Sequence, residues 1–192
     1  DWRTSGCVTK PRAQGNCGSC WAFSVAAAVE TYNCQADGST GYLSTQQLLD
    51  CASGDYWGNL GCDGGSEAFT YQYLMSGGTK LESENDYPYD EFQQRCRTSY
   101  DGVRLGDAWA LHEEDSMAVK AALTHSGPVN VGLSAENDKW YDYQGGIVDW
   151  ADCGLEADHA VVAIGWGTDS QVGDYLLVKN SWGADWGEQG YF

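Results

Sequence analysis

Apolar positions at helical spacing dominate the first half of the chain and predict three helices. The first follows Ser19, a predicted N-cap, through an apolar stretch that contains neither Gly nor Pro. Ser44 and Gln47 match a capping box, which predicts the start of the second. A Gly-Gly pair closes the third. The predicted spans are about 20–34, 44–51 and 66–75.

The second half of the chain changes to strand-like patterns after one further helix, predicted over 116–125. Residues 129–133 alternate with period two, and 159–166 and 175–180 are continuous apolar runs typical of buried strands. Helices followed by strands predict an α+β fold of two lobes with a cleft between them, divided near 103–106.

Size and charge narrow the function classes. The 192 residues are 42% hydrophobic, enough for one large or two small domains. The net charge of −18 repels nucleic acid and anionic membranes, so we expect neither as a partner. The acidity also hints weakly at an acidic compartment.

The eight cysteines form an even, scattered set that indicates disulfides and an oxidising compartment. Only Cys17 and Cys20 have the spacing of a zinc knuckle or a redox pair. A zinc site would need a second knuckle, and a redox pair would need a thioredoxin-like βαβ unit. Neither is visible in the sequence, so we expect no metal.

Cys20 is the candidate nucleophile, because it opens an apolar helix directly after a Gly-Ser turn. The positive end of the helix dipole favours thiolate over thiol there. Of the three histidines, His112 and His125 are predicted to be surface or packing residues. His159 opens a buried strand and Asn180 ends the next one, so neighbouring strands would place them side by side.

The segment from Gln14 to Ser24, with the run Cys17-Gly-Ser-Cys20-Trp, resembles the papain-family cysteine peptidases of the papain and cathepsin L type. The resemblance covers essentially the whole chain, from its first residues to the Trp-Gly-Glu-Gln-Gly-Tyr run that ends at Tyr191. It implies a papain-like two-lobed fold, with a helical lobe of residues 8–104 carrying the nucleophile. A β-rich lobe of residues 1–7 and 105–192 would carry the base.

The resemblance also implies a role for each residue of the site. Cys20 would be the nucleophile and His159 the base that later protonates the leaving amine, held as a thiolate–imidazolium pair. Asn180 would orient the imidazole, and Trp182 would shield their hydrogen bond from water. Gln14 would donate its amide to the oxyanion together with the backbone N–H of Cys20.

A substrate groove is implied as well. Gly64 and Gly65 leave the backbone bare, so an extended peptide could pair beside them. Small side chains and one acid would line the pocket for the second residue before the cut. That predicts a roomy, partly acidic pocket that accepts basic or polar side chains, unless Glu67 points to solvent. The expected pocket residues are Ser66, Glu67, Gly132, Ala157, Asp158 and Ala160.

Within the family pattern, Cys17–Cys62 and Cys51–Cys96 are the expected bridges. Cys153 would pair with a residue beyond Phe192, so the sequence is read as incomplete at its C-terminus. By elimination, an extra bridge is expected between Cys7 and Cys34.

The expected function is that of a monomeric cysteine endopeptidase without cofactor or metal, acting in a lysosomal, vacuolar or secreted setting. Its expected partners are peptide and protein substrates, its own propeptide and cystatin-like inhibitors. Two alternatives stay open: an exopeptidase of the same family, although no long insertion lies between Cys51 and Cys62, and a non-catalytic binding or structural homologue.

Overall fold

The computed structural model describes residues 1–97, 101–112, 115–135 and 137–192. Within those ranges, helices come first and an antiparallel sheet comes last, so the α+β prediction is confirmed. The helices are α1 (Cys20–Asp37), α2 (Thr45–Cys51), α3 (Glu67–Met75) and α4 (Ser116–His125). The strands are β1 (Val129–Leu133), β2 (His159–Asp169) and β3 (Gly173–Lys179), and short 3-10 turns lie at Trp2–Ser5, Gly61–Asp63 and Asp138–Trp140.

Helix α1 is the central helix of the fold. Its own residues are mostly apolar or small, and it is buried from Trp21 to Thr31 and again at Cys34. It is one turn longer than the sequence predicted and ends at Gly38, whose φ of 78° suits a residue without a Cβ.

Only half of the predicted capping box forms at α2. The Ser44 hydroxyl accepts a hydrogen bond from the Gln47 backbone N–H at 2.9 Å. The Gln47 side chain does not return the bond, because it is taken by the backbone of Lys80 and Glu82.

The sheet has the order β1-β2-β3 with both pairs antiparallel. The first seven residues of β2 are buried, as expected for its central place. Leu133 pairs with His159, and Val162 pairs with Lys179. The start of β2 therefore lies beside the end of β3, which brings position 180 close to position 159.

The helices and the sheet meet where α1 packs on β2. Ala27 of α1 belongs to one apolar cluster with Val162 and Ile164 of β2. The Ser24 hydroxyl donates to the Val161 carbonyl across the same contact at 2.9 Å. This packing places the N-terminus of α1 against the start of β2. The division at residues 104 and 105 stays a prediction.

Three disulfides are present, joining Cys7 to Cys34, Cys17 to Cys62 and Cys51 to Cys96. The first ties the N-terminal segment to the end of α1. The other two lie within the helical half. Cys153 has no disulfide partner among the residues described.

Candidate active site

Cys20 is the first residue of α1, and its thiol is free and half-buried. Backbone groups of Ala160 and Trp21 lie close enough to its sulfur to lower the pKa of the thiol. Ala160 follows His159 directly, so the thiol faces the start of β2. The backbone N–H groups in the first turn of an α-helix have no intrahelical acceptor, which leaves donors beside this sulfur.

The predicted side-chain cap from Ser19 does not form. Ser19 stands at the N-cap position, but its hydroxyl makes no capping bond. It is fully buried and lies 2.6 Å from the Tyr89 hydroxyl. Tyr89 also donates to the Gln14 carbonyl at 2.8 Å. The phenol therefore holds the segment before Cys20 in place of a cap.

His159 and Asn180 lie side by side, with 2.8 Å between His159 Nε2 and Asn180 Oδ1. The backbone N–H of Ser181 donates to the same Oδ1 at 2.8 Å, which identifies that atom as the amide oxygen. His159 must then donate from Nε2. In the neutral ring its other nitrogen, Nδ1, is the one that can take a proton from a thiol.

Trp182 lies against the His159 ring, with ring centroids 4.9 Å apart. Trp186 packs edge-on against Trp182 at 5.1 Å, and Tyr141 stacks on it at 5.8 Å. Since His159 and Asn180 are both buried, their hydrogen bond sits in an apolar, aromatic setting.

Gln14 reaches the site because its segment pairs with the residues after β3. Its backbone N–H donates to the Ser181 carbonyl at 2.8 Å. Its side-chain Nε2 donates to the Cys17 carbonyl at 2.9 Å, and its Oε1 accepts from the Ser181 hydroxyl at 2.7 Å. The Gln14 side chain is thus held at both of its polar atoms, three residues before the nucleophile segment reaches Cys17.

The glycine segment lies on the side of Cys20 where Trp21 packs. A Cβ at Gly65 would stand 2.6 Å from Asn59 Oδ1 and 2.8 Å from the Trp21 ring, so no side chain fits. Gly64 has a φ of 112°, which favours glycine. Asn59 also fixes the next residue, because its Oδ1 accepts from the Ser66 N–H at 2.7 Å.

Small residues gather around Ala160. Gly132 pairs with Ala160 across β1 and β2, and a Cβ at Gly132 would stand 3.0 Å from that of Ala157. Asp158 closes the turn before β2, since its carboxylate accepts from the Ala135 N–H at 2.6 Å. Glu67 opens α3, is half-buried and is close enough to influence Cys20 electrostatically.

Comparisons with known proteins agree with this geometry. A family model described as papain family cysteine protease matches residues 1–192. The chain belongs to the papain family. The resemblance inferred from the sequence is therefore confirmed.

Similar papain-family proteins cover every residue of this chain. The cathepsin L-like peptidase of Aedes aegypti is 40% identical over 194 residues, which are 56% of that protein. Cathepsin S of Rattus norvegicus is 40% identical over 197 residues, 58% of its length. The chain thus spans a little over half the length of these curated relatives.

Solved papain-family structures confirm the papain-like fold. The Carica candamarcensis cysteine protease CMS1MS2 in complex with E-64 superposes with a TM-score of 0.89 at 37% identity, over all of this chain and 85% of that one. Digestive procathepsin L2 from Tenebrio molitor gives 0.91 at 36% identity, over all of this chain and 60% of that one.

The pKa directions of the papain-family pair run against the expected ion pair. Burial raises the pKa of the Cys20 thiol, with the Glu67 charge acting the same way, while backbone hydrogen bonds oppose it. Burial lowers the pKa of His159, against the hydrogen bond to Asn180 and the Asp158 charge. The net shift of each pKa favours the neutral form of its group.

Two contacts of this site were missed by sequence reasoning. Tyr89 lies 75 positions from the Gln14 carbonyl that it bonds, and Ser181 lies 167 positions from the Gln14 side chain. No local sequence pattern indicates either contact. Position did give a signal for Ser181, because it stands between the two predicted site residues Asn180 and Trp182.

His125 ends α4 at an exposed position, as expected.

Proposed function

We propose that this protein is a cysteine endopeptidase that cuts peptide bonds through a thioester intermediate. One observation carries the proposal: a free, half-buried thiol at the N-terminus of α1 faces the strand that begins at His159, whose ring is held by Asn180. A nucleophile, a base and an orienting group are the arrangement that nucleophilic catalysis requires.

The chemistry follows from the donors and acceptors around Cys20. The thiolate attacks the carbonyl carbon, and the developing oxyanion accepts from the second Nε2 hydrogen of Gln14 and the backbone N–H of Cys20. His159 then gives its proton to the leaving amine as the C–N bond breaks. Water, deprotonated by the same ring, hydrolyses the thioester and regenerates the thiol.

The resting state is proposed to be the thiolate–imidazolium pair, although burial alone disfavours each charge. Moving a proton from Cys20 to Nδ1 of His159 creates both charges at once and next to each other. At about 4 Å and an effective dielectric of about 20, their attraction is about 4 kcal/mol, roughly 3 pKa units. The first-turn N–H groups of α1 add to it on the thiolate side.

Labelling tests the catalytic role. An epoxide reagent should bind one equivalent at Cys20, and Cys20→Ala should abolish both labelling and hydrolysis. Cys153→Ala is the matched control, since Cys153 is the other free cysteine among the described residues, and it should change neither. A chain that folds, binds peptides and hydrolyses none would instead be the non-catalytic homologue.

Blocking the termini of the peptide substrate distinguishes an endopeptidase from an exopeptidase. Peptides blocked at both termini should be cut internally at rates close to those of free peptides. Cleavage that needs a free N- or C-terminus would identify an exopeptidase and overturn the proposal.

The pocket beside Cys20 is proposed to accept basic or polar side chains at the second residue before the cut. Glu67 is half-buried, and burial raises its pKa. Within the described ranges it takes part in no salt bridge, whereas other acids do. Gly132, which pairs with Ala160, and the neighbouring Ala157 are small residues. A substrate cation would supply the partner that this carboxylate lacks.

A fluorogenic panel that varies that substrate residue tests the pocket. Arg should be accepted by the parent, and Glu67→Gln should reduce kcat/KM for Arg about tenfold while leaving Leu within about twofold. Because the pKa of Glu67 is raised, its charge and the Arg preference should both grow as pH rises through that pKa. A strict preference of the parent for Leu or Phe at that position would refute the proposed pocket specificity.

The biological setting is proposed from the same family. It includes an inhibitory propeptide and cystatin-like inhibitors as partners. A lysosomal, vacuolar or secreted location fits the three disulfides, which need an oxidising compartment to form. No helix within the described ranges is long and apolar enough to cross a membrane. Tight inhibition by a cystatin, and a monomeric mass by light scattering, would support these assignments.

A further inference from the structure

A series of three hydrogen bonds runs from α3 through β1 and α1 to the backbone of β2. The Tyr71 hydroxyl lies 2.5 Å from Asn130 Oδ1, and Asn130 Nδ2 lies 2.6 Å from the Ser24 hydroxyl. Ser24 donates in turn to the Val161 carbonyl at 2.9 Å. Ser24 and Val161 are both buried, so this end of the series is shielded from water.

The Val161 carbonyl fixes the direction of every hydrogen in this series. A carbonyl can only accept, so the Ser24 hydroxyl gives its one hydrogen to it and accepts from the Asn130 amide nitrogen. A flipped amide would bring a second acceptor, Asn130 Oδ1, to a hydroxyl whose single hydrogen is already engaged. Asn130 therefore presents its oxygen to Tyr71, and the phenol must donate. After that donation the Tyr71 oxygen can only accept.

Tyr71 lies between the two elements that carry the proposed pocket residues. It follows Glu67 by four positions on α3, so the two side chains share one face of that helix. Asn130 precedes Gly132 by two positions on β1, so both belong to one face of the sheet. The Tyr71–Asn130 hydrogen bond joins these two faces. Tyr71 and Cys20 also pack against the same apolar cluster, which keeps the phenol in the neighbourhood of the nucleophile.

Tyr71 and the ionised Glu67 together offer acceptors and no donor. Burial raises the pKa of the Tyr71 phenol, and Tyr32 and Glu67 act in the same direction, so the phenol keeps the hydrogen that it gives to Asn130. An ionised carboxylate likewise only accepts. A substrate side chain with several N–H groups can satisfy both oxygens, whereas an apolar or purely accepting side chain satisfies neither.

We propose that Tyr71 is a specificity-determining residue whose oxygen accepts a hydrogen bond from a basic side chain at the second substrate residue before the cut. The proposal rests on the proposed peptidase function and adds a second partner for that side chain beside Glu67. The two partners differ in kind, because Glu67 responds to charge and Tyr71 responds to a donated N–H. Citrulline separates them, since it keeps N–H donors like those of arginine and carries no charge.

End-blocked peptides with Arg, citrulline or Leu at that position test the assignment. Tyr71→Phe should lower kcat/KM about fivefold for both Arg and citrulline, the scale of one lost hydrogen bond, and should leave Leu within about twofold. Glu67→Gln should lower kcat/KM for Arg alone. Tyr32→Phe is the matched control, because it also removes a phenol hydroxyl that joins a helix to the β1 segment, at 3.0 Å from the Pro128 carbonyl. It should leave all three peptides within about twofold.

Variants of Asn130 test the direction of the hydrogens. Asn130→Val removes the acceptor of the Tyr71 hydrogen, so the phenol can turn that hydrogen toward Glu67. The oxygen stays in place, yet kcat/KM for Arg and citrulline should both fall about threefold or more, because the hydrogen then competes with the substrate donor. Values equal to those of the parent would refute the fixed direction. If Tyr71→Phe does not fold because Asn130 Oδ1 loses its donor, the double variant Tyr71→Phe/Asn130→Val removes both partners and should show the same loss for citrulline.

Other outcomes would overturn the assignment. An equal loss for Leu in Tyr71→Phe would mean that the phenol only supports the shape of the pocket. A loss for Arg without one for citrulline would mean that Tyr71 acts through the charge of Glu67. Binding of the same peptides to Cys20→Ala needs no catalysis and keeps this test separate from the peptidase function. A protein that ranked the peptides as expected in binding, while the parent hydrolysed none, would refute the peptidase function and leave the role of Tyr71 supported.

Discussion

Removing the Cys7–Cys34 bridge should destabilise the protein without touching its chemistry. The bridge closes a loop over a sequence separation of 27. In the chain-entropy model such a cross-link removes about 12 cal/mol/K from the unfolded ensemble, or about 3.5 kcal/mol at 25 °C. For a chain of this length, each kcal/mol lowers Tm by about 2–4 °C, so the double variant Cys7→Ala/Cys34→Ala should melt roughly 7–14 °C lower.

The Cys17–Cys62 bridge provides the comparison. Its separation of 45 gives about 4 kcal/mol by the same model. This bridge also helps to hold the segment just before Cys20, because the Gly18 N–H donates to the Cys62 carbonyl at 2.9 Å. Its removal should lower stability to a similar degree and should reduce kcat/KM as well. The Cys7–Cys34 variant should keep kcat/KM within about twofold at temperatures where it is folded.

Urea unfolding followed by the fluorescence of the nine tryptophans measures both variants. Intact mass before and after alkylation establishes which bridges are present. The reasoning would be refuted if the Cys7–Cys34 variant lost less than about 1 kcal/mol. It would also fail if that variant lost as much activity as the Cys17–Cys62 variant while still folded.

Three further outcomes are expected. Gly65→Ala should cost about 1–3 kcal/mol in urea unfolding and raise KM for extended peptides, because its Cβ would stand 2.6 Å from Asn59 Oδ1; an unchanged KM would contradict the groove. His159→Ala removes the imidazolium that would stabilise the thiolate, while burial and Glu67 still raise the pKa of the thiol, so alkylation of Cys20 should shift to higher pH than in the parent. Identical profiles would argue against the ion pair. Burial lowers the pKa of Lys179 to about 8, below its ordinary 10.5. Between these two pH values the unfolded chain binds more protons than the folded chain. The contribution of Lys179 to stability therefore rises with pH over that range. The unfolding free energy of the parent minus that of Lys179→Met should therefore increase between pH 7 and 10, and a constant difference would rule this out.

Two elements were predicted with the bounds that the structure shows. The spans 116–125 and 129–133 coincide with α4 and β1. Strand β2 extends three residues beyond its predicted end, because its pairing with β3 continues through 167–169, which are partly exposed and carry no apolar signal. Backbone pairing can lengthen a strand where hydrophobic pattern says nothing.

The sequence by itself determined the family of this protein and the residue types of its candidate site. The pattern is a cysteine at a helix N-terminus, with a histidine and an asparagine at the ends of adjacent strands. It consists of residue types and local positions, so it can be recognised in the sequence. Antiparallel neighbours then bring His159 and Asn180 together, because the start of one strand lies beside the end of the next.

Only the tertiary structure decided how those groups are held. Ser19 has a capping residue type, yet its hydroxyl meets Tyr89 instead. The Gln14 amide is fixed by Ser181 at the far end of the chain. Hydrogen-bond partners of buried side chains are chosen by which distant segments pack together, and one residue's contacts cannot be read from its own neighbours. The burial that sets the Cys20 and His159 pKa directions likewise exists only once α1 rests on β2.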